Sequence, residues 1–542
     1  MTSESRPSSA ASSLRIPQTL VCWGLLTAIL WCWSLARVPI PGVNEPHYLT
    51  KARHYWDPAW CHGDLFLESS NPHLFFYATL GRLTTVLTLE QAAFWGRLIC
   101  LAVVAWGWWQ LCCGLVHRTS LESTHRSPQE APQIHFTDAL APLAILLLLQ
   151  ASGTWSGEWL VGGIESKVLA YGCTFWGLGS LLQQRWLRAA IGFGLAVSFH
   201  PLVGGWSVLC AAAMLLWDWR TSRISCPPTS RLAFATGLFL LTALPGTIPA
   251  LQMILSADPV QGAQADYLMV TQRLSHHLDP MSFPGSNWRF LGFLLAIWSL
   301  LRFSHSTSVA RRRWETFTLC AVLAACVGVL IAWGPRPWDE MPGAMWRVKL
   351  LKFYPFRLAD LLVPMAVAFE LVDYLQHQSQ RLLANQRSPA LRRLVIGGGC
   401  ALTLGFSAWI PGPDQHPSGM QGQQLQDWIT TCRWIDEHAP QDALLFAANE
   451  RSAVKWYAQR PEFVNYKDCP QDAASLMVWN DRLWQIETWK LQVLADFRIT
   501  RQELDQLHAA TGITHLITSR LGPIQAEPVF QQGPFSIYAL GD

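Results

Sequence analysis

The chain has 542 residues, of which 51% are hydrophobic and only 14% are charged, and its formal net charge at pH 7 is +3. It is too long for one globular core and too poor in charge for an ordinary water-exposed surface. The near balance of charge gives no indication of a nucleic-acid partner, and we expect membrane lipids to solvate much of the chain.

In chain order, a Ser-rich polar lead, residues 1–16, is predicted to be disordered and cytoplasmic. About eleven apolar segments follow, most of which approach the ~20 residues that a helix needs to cross ~30 Å of hydrocarbon. An odd number of spans places the two termini on opposite sides of the membrane. The predicted spans are residues 20–35, 92–116, 139–151, 168–182, 190–199, 202–217, 232–255, 290–301, 317–333, 358–375 and 394–410.

Basic residues concentrate in alternate connections between these spans. The positive-inside rule makes those connections cytoplasmic, with the N-terminus in the cytoplasm and the C-terminal segment outside it. The two longest outward loops are residues 38–89 and 256–288. We expect an integral membrane protein, by default of a bacterial inner membrane. The basic connections contain Arg15; Arg118 and Arg126; Arg185 and Arg188; Arg220 and Arg223; Arg311; and Arg387 and Arg392.

After a Pro- and Gly-rich break, the composition becomes that of a soluble protein. Apolar spacing predicts helices at 425–439 and 501–510, strands at 443–447 and 513–518, and a closing hairpin at 529–540. The predicted fold is therefore mostly α: a polytopic transmembrane helical bundle, residues 17–410, followed by a soluble extracytoplasmic α/β domain, residues 411–542. Cys432 and Cys469 fall in this outward segment, where a disulfide between them is one alternative.

The first outward loop is the densest polar stretch and contains the candidate site residues Glu45, His47, Tyr48, Asp64 and His73. Glu45 follows the first span closely, so its carboxylate is held beside the bilayer surface. There it is a candidate general base for an acceptor hydroxyl, or a ligand of a divalent cation together with His47. A hydrated loop acid or a helix cap is the competing interpretation.

Three more candidates lie at the outer ends of later spans. Glu165 and Lys167, at the mouth of the fourth span, suit a phosphate and a sugar hydroxyl, or else a structural ion pair. His200, between the fifth and sixth spans, is a binding residue or a turn residue bonded to a carbonyl. All three are expected on the same side as Glu45, as one shared site requires.

A further outward segment, residues 336–357, breaks the charge pattern, because it carries Arg347, Lys349, Lys352 and Arg357 among aromatic residues. Basic and aromatic residues beside a membrane bind an anionic lipid headgroup. Two ligands are possible for this segment. One is a departing polyprenyl phosphate, which needs fixed cations, and the other is an ordinary phospholipid.

Some of these residues also form a recognisable pattern. Glu45-Pro46-His47-Tyr48, Gly63-Asp64 and Asn71-Pro72-His73 resemble the first periplasmic loop of GT-C glycosyltransferases, polytopic enzymes that use lipid-phosphate-linked sugars. In that superfamily an acidic residue just after the first span, often in an Asp-Glu pair, is the catalytic carboxylate. The pair is Asn44-Glu45 here, so the resemblance implies a catalytic role for Glu45.

A second resemblance covers most of the chain. Ile164-Glu165-Ser166-Lys167, Phe199-His200-Pro201 and Arg460-Pro461-Glu462 with Tyr466-Lys467-Asp468 are similar to motifs of an uncharacterised bacterial multi-pass family, common in planctomycetes and related groups. That family carries a GT-C-like architecture. The resemblance implies an architecture and no specific activity.

The function indicated is transfer of a sugar from a polyprenyl-phosphate donor to an acceptor on the outer face of the membrane. The sequence has no nucleotide-binding loop of the GxxxxGK[ST] kind, which disfavours direct use of ATP and fits a lipid-linked donor. The alternatives are a catalytically silent scaffold or glycan-binding protein of the same architecture, and a transporter.

Overall fold

The computed structural model describes residues 17–117, 134–221, 228–302, 308–382, 389–448, 453–494 and 498–541. The predicted disordered lead, residues 1–16, and the basic connections at Arg118, Arg126, Arg223 and Arg387 lie outside the described residues.

Long helices dominate the first 410 residues, and each of the eleven predicted apolar segments falls on one of them. The helices of this part are α1 (Gln18–Arg37), α2 (Glu45–Trp56), α3 (Leu65–Glu68), α4 (Leu74–Ala78), α5 (Leu89–His117), α6 (Phe136–Ser152), α7 (Ser166–Leu182), α8 (Trp186–Phe199), α9 (Pro201–Arg220), α10 (Thr229–Leu255), α11 (Pro259–Leu268), α12 (Ser275–Leu278), α13 (Gly285–Arg302), α14 (Val309–Ala332), α15 (Ala344–Leu351), α16 (Arg357–Leu382) and α17 (Pro389–Trp409).

Five of the helices in the described residues are long and apolar enough to cross a membrane: α1, α5, α9, α10 and α14. Helices α6 and α8 and the stretch Leu394–Trp409 of α17 are apolar but shorter. These lengths and compositions confirm an integral membrane protein. The total of eleven spans stays a prediction.

Small residues let α5 and α7 pack closely. A Cβ added to Gly107 on α5 would overlap the carbonyl of Gly172 on α7, and one added to Gly114 would lie 2.9 Å from the Gly179 carbonyl oxygen. Close backbone approach at glycines is a common way to join helices in lipid. This contact fixes the position of the α7 N-terminus, which carries Glu165 and Lys167.

The two long loops that are predicted to face outward fold into short helices at one end of the bundle. The first contains α2, α3, α4 and a 3₁₀ helix, Leu80–Thr85; the second contains α11, α12, a π-helical turn, Met269–Arg273, and a 3₁₀ helix, Pro280–Ser282. The segment 153–165 between α6 and α7 lies at the same end. We call this end, formed by residues 38–89, 153–165 and 256–288, the loop end.

The tail after residue 410 contains helices and a mixed sheet. A four-stranded sheet has the order β1-β3-β6-β5, in which β1 and β3 are parallel and the other pairs are antiparallel, and β2 pairs with β4 separately. The elements are α18 (Gly422–His438), β1 (Leu445–Ala448), α19 (Val454–Ala458), α20 (Ala473–Val493), β2 (Ile499–Thr500), α21 (Arg501–Thr511), β3 (His515–Thr518), β4 (Ile524–Gln525), β5 (Phe530–Gln532) and β6 (Phe535–Ala539).

The predicted tail helices and strands coincide with α18, β1, α21, β3 and the β5–β6 hairpin. The 21-residue helix α20 was not predicted. Trp428 and Tyr457 belong to the same buried apolar cluster as the membrane helices, so the tail is packed onto the bundle. Cys469 is a free thiol, hence the Cys432–Cys469 disulfide alternative is wrong. That the tail is an independently soluble domain stays a prediction.

Candidate functional site

Glu45 opens α2, and its carboxylate is completely buried. Arg97 of α5 holds it with two hydrogen bonds, from Nε at 2.7 Å and from Nη2 at 2.8 Å. The backbone N–H groups of Gly42 and Ile164 donate two more, at 2.6 and 2.9 Å. A carboxylate whose four lone-pair positions are filled offers none to an acceptor hydroxyl or a cation. We therefore assign Glu45 a structural role in place of the predicted catalytic one.

The segment 153–165 is held in place by Asp360, near the start of α16. Its carboxylate accepts hydrogen bonds from the backbone N–H groups of Trp155, Ser156 and Glu158, at 2.6, 2.8 and 2.9 Å. A buried carboxylate that accepts several backbone N–H bonds fixes the loop that supplies them. Glu158 and Glu165 are thereby set at defined positions within the loop end.

A row of buried charged groups starts at Glu165 and runs across the bundle. Lys167 lies 3.5 Å from Glu165 and 3.1 Å from Glu158, and its ammonium stands 4.0 Å above the Trp159 ring. Glu158 pairs in turn with Arg357, 2.9 Å away. The structure thus brings together three of the predicted residues, Glu165, Lys167 and Arg357, through Glu158, which the sequence did not single out.

The row ends in histidines. Arg357 Nη1 donates to His200 Nε2 at 2.7 Å, and because a guanidinium can only donate, this imidazole is neutral. The His73 ring lies 4.7 Å from the His200 ring, and burial, with the Arg357 charge, lowers the pKa of His73 to about 3. Tyr48 approaches from α2, where Ser166 donates to its hydroxyl at 3.3 Å. Predicted residues Tyr48, His73 and His200 therefore converge here.

Glu165 also faces a cavity of about 140 Å³ between the ends of α1 and α6 and the segment 153–165. Asn44 Nδ2 donates to the Glu165 carboxylate at 2.6 Å. Burial raises the pKa of Glu165 above its usual value, against the lowering effect of Lys167 and Asn44. A carboxylate with a raised pKa beside a cavity is a suitable proton acceptor near neutral pH.

An apolar groove of about 500 Å³ shares no lining residue with the cavity. Leu169, on the first turn of α7 after Lys167, and Phe199, next to His200, line it. The first loop contributes Leu80 and Leu83, and α5 contributes Val103. Phe199 places the groove close to the His200 end of the row, and its mostly apolar lining suits a hydrocarbon chain.

A second charged cluster joins the first loop to the tail. Lys455 contacts three carboxylates, Asp64 at 3.1 Å, Glu462 at 3.1 Å and Asp468 at 2.7 Å, and His47 lies 3.4 Å from Asp468. We call these five residues the tail clamp. His47 and Asp64 line neither the cavity nor the groove, and in this structure they connect the tail to the loop end.

The predicted basic and aromatic segment does not gather at one point. Arg347 donates to the carbonyls of Ile331 and Trp333 at the end of α14, at 2.6 and 2.9 Å, and Lys352 pairs with Asp266 at 2.7 Å. Lys349 is exposed. Of the four basic candidates for a lipid phosphate, only Arg357 reaches the row of charges.

Lys467, a cation that the sequence did not select as a site residue, lies near Glu165. Burial and the neighbouring Arg273 guanidinium lower the pKa of Lys467, and Glu165 and Lys167 act on the same ammonium. Arg273 of the second loop donates to the Lys467 carbonyl at 3.0 Å. The only sequence signal was the Tyr466-Lys467-Asp468 motif, which does not reveal a partner almost 200 residues away.

Within the described residues, no group of three or more His, Cys, Asp or Glu side chains is arranged to hold a metal ion. Glu45 and His47, the predicted cation ligands, are bound to Arg97 and Asp468 instead.

Comparisons with known proteins give a match to one family model and matches to solved structures. A family model described as a domain of unknown function, DUF6798, matches residues 426–486, which include the tail side of the clamp. No curated protein matches the sequence. Among solved structures, the archaeal oligosaccharyltransferase AglB from Archaeoglobus fulgidus, in complex with an inhibitory peptide and a dolichol-phosphate, is 10% identical, with a TM-score of 0.38 over 93% of this chain and 69% of that chain. A TM-score of this size does not establish a common fold.

Proposed function

We propose that the protein is a membrane glycosyltransferase that moves a sugar from a polyprenyl-phosphate donor to an acceptor at the loop end, on the outer face of a bacterial cytoplasmic membrane. The observation that carries this proposal is the row of charges itself. At one end Glu165 lines a cavity, and near the other end Phe199, the residue before His200, lines an apolar groove.

Glu165 is the proposed proton acceptor. Its carboxylate lines the cavity, and its raised pKa keeps it a usable base near neutral pH. Asn44, at the position where the GT-C pattern often has an acid, orients this carboxylate through a hydrogen bond at 2.6 Å. The catalytic carboxylate is thus moved from the first loop to the α7 N-terminus.

Lys167 and Arg357 supply the fixed positive charge that a leaving phosphate requires. Both form ion pairs with the Glu158 carboxylate, which lies between them and holds each in place. Neutral His200 and His73 add polar groups without further charge. The prenyl chain of the donor occupies the apolar groove lined by Leu169 and Phe199, at the depth of the membrane helices.

The proposed transfer is a single displacement at the anomeric carbon of the donor sugar. The acceptor hydroxyl gives its proton to Glu165, and its oxygen forms the new bond to the anomeric carbon. The old bond between the anomeric carbon and the phosphate oxygen breaks, and its electron pair leaves on polyprenyl phosphate. Lys167 and Arg357 stabilise the charge that grows on that oxygen.

The test is release of polyprenyl phosphate from a radiolabelled polyprenyl-phosphate hexose by the purified protein in liposomes that contain a membrane extract as acceptor source. We expect wild-type turnover, and at least a hundredfold loss in Glu165→Gln, since general-base groups typically contribute 10²–10⁴-fold. Glu90→Gln, which changes an exposed glutamate, is the matched control.

Three results would count against the proposal. Equal turnover in Glu165→Gln and Glu90→Gln would mean that Glu165 is not the general base. Loss of turnover in folded Glu45→Gln alone would mean that the catalytic carboxylate is Glu45 in the first loop. No release by any folded protein would favour the silent scaffold or glycan-binding alternative.

A further inference from the structure

The cavity beside Glu165 has the walls of a carbohydrate-binding site. Indole rings of Trp33 and Trp159 face it. Trp33 is buried and fixed by a hydrogen bond from Nε1 to Ser407 Oγ at 2.8 Å, and Lys167 covers one face of Trp159. Arg37 lies over the Trp33 ring, 5.8 Å from its centre. The ring surfaces that Arg37 and Lys167 leave uncovered are flat and apolar, which suits the C–H face of a sugar ring.

The polar lining includes an unsatisfied donor. Gln150 accepts from the Leu160 N–H through Oε1 at 3.2 Å, but its buried Nε2 has no hydrogen-bond partner in the described residues. A buried donor without a partner is unfavourable, so an acceptor placed in the cavity gains this hydrogen bond. Glu165 and Asp414 provide acceptors for the hydroxyl groups of the same ligand.

The charges of the cavity favour a neutral ligand. Its lining contains two carboxylates, Glu165 and Asp414, and one guanidinium, Arg37. Arg37 is already committed, because it lies 3.5 Å from Asp414 and donates to the Ser407 carbonyl at 3.1 Å. A carboxylate on the ligand would face two like charges without a free cation beside them.

The size of the cavity suits a small ligand. At roughly 10–15 Å³ for each water-sized group, a cavity of about 140 Å³ holds about ten such groups. One hexose ring with its hydroxyls has a similar number of heavy atoms, and a disaccharide has about twice as many.

We propose that this cavity binds one neutral hexose ring, stacked between Trp33 and Trp159 and hydrogen-bonded by Gln150, Glu165 and Asp414, and that it excludes uronic acids. The assignment of this ring as the transferred sugar rests on the proposed function. Binding of the ring itself does not.

The test is saturation-transfer NMR of the full-length protein in nanodiscs. The probes are methyl glucoside, methyl galactoside and methyl mannoside, with methyl glucuronide as the charged analogue. We expect at least one neutral hexoside to bind to the wild-type protein. Gln150→Leu should bind it at least tenfold more weakly. Gln441→Leu, which changes an exposed glutamine of the tail, should bind it as the wild type does. The glucuronide binds at least tenfold more weakly than the glucoside, and Asp414→Asn narrows that gap.

Folding is checked by gel filtration, and Ala151→Leu, which fills the cavity, replaces Gln150→Leu if the latter misfolds. Absence of hexoside binding, or equal binding by the Gln150 and Gln441 variants, would overturn the cavity assignment. Donor turnover measured in parallel separates the two proposals. If the donor turns over but no hexoside binds in the cavity, only the cavity proposal is wrong. If a hexoside binds but the donor does not turn over, only the proposed transfer reaction is wrong.

Discussion

At the scale of single residues, the Glu45–Arg97 pair shows how a charge is accommodated at the loop end. Both side chains are fully buried, and every carboxylate lone-pair position of Glu45 has a donor. Arg97 also donates to the carbonyls of Val38 and Pro39, so it ties the start of the first loop to α5. Such a pair gives little net stability, but removal of one partner leaves an uncompensated buried charge.

We therefore expect Arg97→Met to destabilise the protein by about 3–5 kcal/mol. The measurement is reversible unfolding in mixed detergent micelles, followed by tryptophan fluorescence. Arg289→Met, at an exposed arginine, is the control and should change stability little. Similar small effects for both variants would mean that the Glu45 carboxylate is solvated and accessible.

A second residue-scale prediction concerns the pH dependence of sugar transfer. Glu165 must be ionised to accept a proton, and burial raises its pKa, so activity falls as pH drops through a value above the ~4.3 of an ordinary glutamate. Lys167 lowers that pKa, hence Lys167→Met should move the acidic limb to still higher pH. The check is the pH profile of polyprenyl phosphate release in both proteins. An unchanged limb in Lys167→Met would contradict the assignment.

The sequence indicates which polar residues are candidates for the site, but not which of them already have hydrogen-bond or ion-pair partners in the fold. Glu45 stands out by its position after the first span, yet its partner Arg97 is 52 positions away and gives no local signal. Glu158 and Gln150 likewise look like ordinary loop and helix residues. Their partners come from other elements, so only the fold distinguishes them.

At the scale of elements, the glycine contact between α5 and α7 positions the site. Gly107→Ala places a methyl group against the Gly172 carbonyl, and overpacking of this kind costs about 1–3 kcal/mol. Gly237→Ala on α10 is the matched control, because open space surrounds Gly237. Thermal unfolding should show a lower midpoint for the first variant alone. A midpoint unchanged by Gly107→Ala would mean that the two helices do not pack in this way.

The tail clamp predicts a pH-dependent stability. Burial and the neighbouring Asp468 and Asp64 carboxylates raise the pKa of Glu462 from 4.5 to about 7, against the lowering effect of Lys455. The folded state therefore holds a proton that the unfolded state has lost, and stability falls as pH rises from about 4.5 through about 7. Glu462→Gln removes this proton equilibrium and should flatten the fall.

The measurement compares melting temperatures at pH 5.5 and pH 8. Glu527→Gln, at an exposed glutamate, should retain the wild-type dependence. A fall of equal size in Glu462→Gln would place the titrating group elsewhere.

Most tail elements were predictable because their signals are local. In α21, Thr500 and Glu503 form a capping box, and Gly512 ends the helix in the left-handed conformation. Helix α20 was missed because Trp479, Trp484 and Trp489 mix with charged residues and no clear stripe stands out. Its buried face is decided by α11 and the sheet, which a local pattern does not show.

At the scale of the whole molecule, hydropathy predicted eleven helices of the bundle, since apolar runs of this length have few alternatives in lipid. It did not predict the packing of the tail onto the loop end. Asp64 and Asp468 meet at Lys455 although they are about 400 positions apart, and no periodicity encodes such a contact. The first loop and the tail therefore lie on the same side of the bundle.

The proposed reaction requires that the side of the bundle shared by the first loop and the tail lie outside the cytoplasm. The most direct measurement is labelling of single introduced cysteines in intact cells with a membrane-impermeant maleimide, with the wild-type chain as background. Val43→Cys in the first loop and Gln441→Cys in the tail should both be labelled, and Trp219→Cys at the far end of α9 should react only after the cells are opened. Labelling of Trp219→Cys in intact cells with protection of the other two, or opposite behaviour of positions 43 and 441, would contradict the account.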